Sequence, residues 1–189
     1  MTATTTPITF EALTTYDNKR LEPFMTSGPS PAIDDLLGFD FQGWNIASTT
    51  TILGTRKFFK GFFGTAGQPT GWGYNMPAVQ NAREAPWSPK LKDGQPTRYF
   101  FYKVLPGTAV RDAVFPKTLV VDYRGWPKYF VLNPVKYTVD YLVRPDPANR
   151  DLLVGKSYSQ VLGLKIFLGF FILKRYGRSG YAGPAGMNL

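Results

Sequence analysis

From residue 38 to residue 175 the chain is a succession of short runs rich in Val, Tyr, Phe, Leu and Thr, separated by Gly, Pro, Asn and Asp. Such runs are strand signals with turn punctuation between them. Eight or nine strands in up-and-down order after an N-terminal helix fit one architecture, an all-β antiparallel barrel. The first run, residues 36–46 (LLGFDFQGWNI), sets the frame. On a pleated strand Phe39, Phe41, Gly43 and Asn45 share one face, and Asp40, Gln42, Trp44 and Ile46 share the other. Glycine lets such a strand bend or bulge, and the Trp44 indole is expected to plug the closed end of a barrel; a plain core strand carries the same features.

Residues 52–63 (ILGTRKFFKGFF) place aromatic pairs around a basic patch. A strand with aromatics on both faces turns one face into the barrel and the other against a helix, a membrane or a partner. Residues 64–71 form a Gly/Pro loop and residues 72–76 a short strand. Residues 77–96 hold four prolines and no apolar period, and a loop of that length is a lid, a binding segment or disordered. Further strands are predicted at 98–105, 117–123, 129–132, 135–144, 152–158 and 164–175. The clearest alternation sets Val135, Tyr137, Val139, Tyr141 and Val143, assigned to the interior, against Lys136, Thr138, Asp140, Leu142 and Arg144. The apolar run 161–173 spans about 13 residues and contains Lys165 and two glycines, too short for a bilayer-crossing helix; it reads as a strand bent at Gly169.

At the N-terminus, residues 1–7 are Thr-rich and read as frayed. Phe10, Leu13, Leu21 and Phe24 give an apolar helical face over residues 8–21, with Pro7 at the helix start. Ser30-Pro31 reads as N-cap and first residue of a second short helix ending near Leu37, with Asp34 and Asp35 at its positive end. These pieces either cap a barrel mouth or pack outside the sheet. The organisation is a helical lead-in (1–36), a barrel domain (37–176) and a Gly-rich tail (177–189) expected to be mobile.

Across 189 residues there is no cysteine and no histidine. Disulfides, thiolate catalysis, imidazole bases, Ser-His-Asp triads and His- or Cys-ligated metals are thereby excluded. No metal site is expected, because Asp34-Asp35 is explained by a helix start. No Gly-rich phosphate-binding spacing supports a nucleotide, so no cofactor is expected. The formal charge of +9 comes from basic residues spread along the chain, with short clusters at 56–60 and Lys174-Arg175. That spread argues against nucleic acid and is compatible with an anionic membrane surface or an acidic partner. The N-terminus lacks the basic and apolar regions of a secretory signal, and a cytoplasmic location is the expectation.

Residues 36–176 resemble a lipocalin-like (calycin) barrel. Two places carry the likeness. One is Gly38–Trp44, where that superfamily has Gly-x-Trp on its first strand; here Asp40 and Asn45 stand two beyond Gly38 and Gly43, and Trp44 follows Gly43 directly. The other is Leu173-Lys174-Arg175 at the end of the last strand, where the family places a basic residue over the first-strand Trp. The resemblance implies Arg175 stacked on Trp44, a contact of about 0.5–2 kcal/mol, and a cavity for an apolar or amphipathic small molecule. A small bacterial family with a G-x-W-x-G motif is a fainter likeness. In size and N-terminal helix the chain also resembles single-domain lipocalin-like cyclases of microbial biosynthetic pathways. That likeness implies a polyketide-derived substrate, held in a reactive fold with its carbonyl polarised by one or two hydrogen bonds.

Tyr137 and Tyr141 are candidate catalytic hydroxyls, against the alternative that they fill the barrel and bond backbone. Asp40, Asp122 and Asp140 lie inside strands, where Asp is disfavoured. Each is expected to face solvent or pair with a basic neighbour, and Asp40 is the candidate acid or base if it faces the cavity. Trp72, Tyr74 and Asn75 flank the long loop and are mouth candidates. Trp44, Asn45, Phe58, Phe101, Tyr123 and Tyr158 complete the candidate lining. Two functions follow: binding of a hydrophobic small molecule, or a cofactor-free cyclase or isomerase. Convergent Tyr, Asn, Arg or Asp groups in the cavity favour the enzyme, and a lining of Phe, Leu and Val favours the carrier.

Overall fold

The computed structural model describes residues 7–46, 54–126 and 134–184. Its strands are β1 (Phe39–Asn45), β2 (Lys57–Phe63), β3 (Gly71–Pro77), β4 (Leu91–Lys92), β5 (Gln95–Pro96), β6 (Tyr99–Pro106), β7 (Leu119–Asp122), β8 (Thr138–Val143), β9 (Leu152–Val161) and β10 (Leu164–Arg178). Eight of them close in the order β1-β2-β3-β6-β7-β8-β9-β10, each antiparallel to its neighbour, and β10 pairs back onto β1. This is the expected all-β, up-and-down barrel of lipocalin-like type. The predicted run 129–132 lies outside the described residues. β4 and β5 pair with each other across Asp93-Gly94, a two-residue turn with φ of +52° and +75° that the reading of 77–96 as plain loop passed over.

Residues directly opposite in an antiparallel pair share a face, so the register sorts inner from outer side chains. Phe41 faces Lys60, Lys60 faces Asn75, Val121 faces Asp140 and Asp140 faces Ser157. The inner core gathers Phe41, Phe58, Phe62, Tyr102, Val104, Val121, Leu142, Leu153, Phe171 and Leu173. Val139, Tyr141 and Val143 belong to a different cluster, with Val154, Ile172 and the helix residues Phe10, Leu13, Leu21 and Met25. The assignment of their face to the interior is therefore corrected: it is the outer face. Nearly all of β8 is buried, so apolarity alone does not say which side is in.

The outer wall is buried under two coats. One is helical, α1 (Phe10–Leu13) and α2 (Asn18–Ser27), which resolves the open alternatives in favour of helices outside the sheet. The single helix expected over 8–21 is two. Thr14 and Thr15 turn their hydroxyls back onto the carbonyls of Glu11 (2.8 Å) and Ala12 (2.7 Å), and Asp17 starts a new helix by accepting from Arg20 N at 2.8 Å. The helix expected from Ser30 is a 3₁₀ turn, Ile33–Asp35, without a side-chain cap.

The second coat joins Phe59, Phe63, Tyr74 and Met76 to Trp87 of the long loop and Tyr181 of the tail. Gln80 holds that loop to β2: its amide oxygen accepts from Arg56 N and Lys57 N (both 2.9 Å), and its amide nitrogen donates to Lys57 O at 2.6 Å. Lys57 Nζ reaches the Ala85 carbonyl at 2.9 Å. This part of the loop is a strap on the outer wall. At the other terminus β10 runs to Arg178, beyond the expected end at Arg175, and Tyr181 packs edge-on to Tyr74 at 4.9 Å.

One end of the barrel is shut by Leu36 and the 3₁₀ turn. Arg175 lies 3.8 Å above the Phe39 ring and donates to Asp35 O at 2.9 Å. The Asp35 carboxylate pairs with Arg144 and with Arg150. A basic residue at the end of the last strand does cover a first-strand aromatic, but that aromatic is Phe39. The expected Trp44–Arg175 contact and the Trp44 plug are corrected: Trp44 stands outside, edge-on to Trp87 at 6.4 Å, with Arg56 above it. Five positions along a strand separate Trp44 from Phe39, so it lies toward the other end of the barrel.

Candidate functional site

The opposite end holds a cavity of about 260 Å³, lined among others by Asn45, Thr55, Phe58, Lys60, Asn75, Tyr99, Phe100, Tyr123, Thr138, Asp140, Ser157 and Phe171. These come from the end of β1, the start of β2, the end of β3, the start of β6, the end of β7, the start of β8 and both arms of the last hairpin. Two glycines help to shape it. The Phe58 ring lies across Gly43 and the Phe171 ring across Gly155, so close that a Cβ would sit 2.4 Å and 2.1 Å from ring carbons. Side chains at those two positions would push the rings into the open space.

Deep in this cavity, among its aromatic rings, sits an ion pair. Lys60 Nζ is 2.9 Å from Asp140 Oδ2, with both side chains under 5% exposed (3% and 4%). Lys60 also donates to Asn75 Oδ1 at 3.2 Å and to the Tyr123 hydroxyl, so its three protons have three acceptors. Asn75 Nδ2 donates to Tyr123 Oη (3.0 Å) and to Phe100 O (3.1 Å), and Ser157 Oγ donates to Asp140 Oδ1 (2.6 Å). The Phe100 carbonyl is aimed at Asn75 by a bulge: Gly73 pairs with Tyr102 but Asn75 with Tyr99, and Phe100 has φ +47°. The rings of Tyr102, Tyr123 and Phe171 lie within 5.4 Å of Nζ. Burial pushes the Lys60 amine below the usual lysine range, and the Asp140 carboxylate opposes that shift.

Of the residues singled out in the sequence, Asn45, Phe58, Asn75, Tyr123 and the strand carboxylate Asp140 line the cavity. The others stand elsewhere. Tyr141 is on the outer face, where its hydroxyl accepts from Val114 N (2.9 Å) and Gln160 Nε2 (3.2 Å). Tyr158 packs beside it, at 6.0 Å between ring centroids. Tyr137 lies in the 3₁₀ turn that leads into β8 and is not among the lining residues. Tyr74 donates to Asp40 at 2.8 Å and shares a 2.6 Å bond with Ser179, and burial raises the pKa of both Tyr74, to about 12, and Asp40. Phe101 stacks on Trp126 at 4.8 Å and Trp72 meets Trp126 edge-on.

The sequence places Lys60 in a basic patch and Asp140 among three strand carboxylates, of which Asp40 is the candidate acid or base. The available signal was a charge in the middle of a strand that is apolar on both faces, KFFKGFF in one case and TVDYLV in the other. Asp140 and Asp122 both meet the expectation of a basic partner, Asp140 with Lys60 and Asp122 with Arg124, each at 2.9 Å. Among the described residues no cluster of His, Cys, Asp and Glu suits a metal ion, and no helix is long and apolar enough to cross a membrane. Compared with known proteins, the chain matches no family, no curated protein and no solved structure.

Proposed function

We propose that the barrel binds one amphipathic small molecule, with its apolar body against Phe58, Phe100 and Phe171 and a hydrogen-bonding end at the Lys60–Asp140–Asn75–Tyr123 cluster. The observation that supports this reading is a polar, ion-paired cluster at the inner end of an aromatic cavity that opens at one end of a closed barrel. The pair is already neutral in sum. A ligand with a charged end would bring a second desolvated charge without a partner, so a carbonyl or hydroxyl fits better than a carboxylate or an amine.

The test is uptake of Nile red followed by displacement with a long-chain ketone, alcohol, carboxylate and amine of equal length. The ketone and alcohol are expected to displace the dye at the lowest concentrations. Absence of dye uptake, together with an empty protein in native mass spectrometry, would sink the enclosed-site reading.

A second reading is supported by the convergence of Lys60, Asn75, Tyr123 and Asp140, more polar equipment than a carrier needs. Hydrogen bonds from such a cluster polarise a bound carbonyl, and the closed wall holds a flexible chain in one conformation, as the likeness to lipocalin-like cyclases implies. Chromatography of a bound polyketide-like chain before and after incubation separates the two readings. Conversion to an isomer supports the cyclase or isomerase, and unchanged recovery supports binding alone.

A further inference from the structure

The hairpin of β9 and β10 outgrows the barrel. Among the described residues, β8 accompanies β9 to the pair Thr138–Ser159, and β1 meets β10 from the pair Asn45–Phe171, with Ile46 N donating to Phe170 O just beyond it. Beyond those points the two arms pair with each other, out to Val161–Leu164. Every residue from 162 to 167 is exposed, so among the described residues neither face of the tip is covered. Leu162 is 98% exposed, Leu164 66%, Ile166 53% and Phe167 40%. The turn residues Leu162 and Gly163 have φ of +50° and +82°. The other two-residue turn of this kind uses Asp93-Gly94, the usual chemistry for that geometry. Leucine at the first position of the turn sits in the left-handed region, where an apolar side chain is disfavoured, and it gains no packing in return.

Charge adds a second observation. From residue 157 to residue 173 the one charged side chain is Lys165, and it is basic, within a chain of net charge +9. Lys165 stands between Leu164 and Ile166 in the exposed tip. The nearby Asp112 is already paired with Arg124.

We propose that this hairpin is a membrane anchor, its apolar tip entering the interfacial layer of an anionic bilayer with Lys165 at the headgroups. A protein groove covers one face of such a tip well, whereas a fluid interface accommodates both. An arm of three or four strand residues reaches roughly 10–13 Å, enough for the shallow depth at which interfacial segments lie. Lys165 at the tip of a chain of net charge +9 complements anionic lipid. β10 continues from the tip through Leu168, Gly169 and Phe171, which line the cavity, so the anchor turns the open end of the barrel toward the lipid. The anchor does not depend on what the cavity holds.

The test is co-sedimentation of the full chain with vesicles of phosphatidylcholine alone and of phosphatidylcholine with phosphatidylglycerol. The wild type is expected to bind the anionic vesicles and to bind the neutral ones more weakly. Replacing Leu162, Leu164 and Ile166 together by Ser is expected to reduce binding to anionic vesicles at least about tenfold. Lys165→Glu is expected to reduce it severalfold. Because all four side chains are exposed, melting temperature and Nile red uptake should stay at wild-type values in both variants. The proposal is overturned if the wild type binds neither vesicle or if the triple variant binds as well as wild type. It is also overturned if the wild type is a dimer that the triple variant dissociates and neither binds vesicles, which would make the exposed tip a contact between copies of this chain.

Discussion

Lys60 and Lys156 have nearly the same surroundings on opposite sides of one barrel wall. Lys60, inside, has four aromatic rings within 6.0 Å of Nζ and one carboxylate, Asp140. Lys156, outside, has Phe115, Tyr158, Phe167 and Phe170 at 5.0–5.3 Å and one carboxylate, Glu22, at 2.6 and 2.7 Å. The partners differ. Asp140 is on a strand, its place fixed by the sheet register, and it is shut off from water. Glu22 is on α2 and half-exposed. The inner pair consists of two charges that each need the other; the outer pair is a latch between a helix and the wall, with water available to its carboxylate.

The comparison breaks first at the inner pair. Asp140→Ala or Lys60→Met alone leaves one buried charge without a partner and is expected to destabilise by about 3–5 kcal/mol in urea unfolding. The double variant Lys60→Met/Asp140→Leu removes both charges and should recover most of that loss. If the double variant loses the sum of the two single losses, the two groups are not acting as a desolvated pair.

Glu22→Gln tests the latch. Water can replace the carboxylate at this half-open site, so the expected loss is about 1 kcal/mol or less. Its signature is local: amide exchange in α2 should quicken while the strands keep their protection. A loss as large as that of Asp140→Ala, with strand protection falling too, would erase the distinction between pair and latch.

The same two lysines show what the sequence disclosed and what it hid. Strand runs, turn residues and the absence of crossover helices were enough for the closed barrel, because a period of two residues is written locally. Which face looks inward was not written in β8, where Val139, Tyr141 and Val143 cover the outside under α1 and α2 while Asp140 and Leu142 face in. A strand buried on both sides carries no polarity contrast, and the cleaner alternation drew Tyr141 to the wrong side. Asn75 is legible from its place beside the long loop, and Asn45, Phe58 and Tyr123 are named among the candidate lining and do line the cavity. The Lys60–Asp140 pair joins residues 80 positions apart by barrel closure, and no local pattern records it.

The smallest effects are pH slopes, and they separate the inner cluster from an outer one. In the folded chain the Lys60 amine is held below its ordinary value of 10.5, so the unfolded chain binds more protons in the window just under that value. The Lys60 contribution to stability therefore rises with pH across that window, with a slope below the roughly 1.4 kcal/mol per pH unit that one full proton gives. Lys60→Met/Asp140→Leu should flatten this rise. Tyr74, outside and bonded to Asp40 and Ser179, shifts the other way. Burial and the Asp40 carboxylate raise its phenol from 10.0 to about 12, so the folded chain keeps a proton that the unfolded chain loses. Its contribution is present below pH 10 and is lost as pH rises through about 12. Tyrosinate absorbance read alongside urea unfolding gives both. Tyr74→Phe should remove the latest-ionising phenol and lessen the fall above pH 10, to which the raised phenols of Tyr99, Tyr141 and Tyr181 also contribute, leaving the rise below it intact. If Tyr74→Phe abolishes the rise as well, the inner and outer clusters titrate as one unit and the barrel wall does not insulate them.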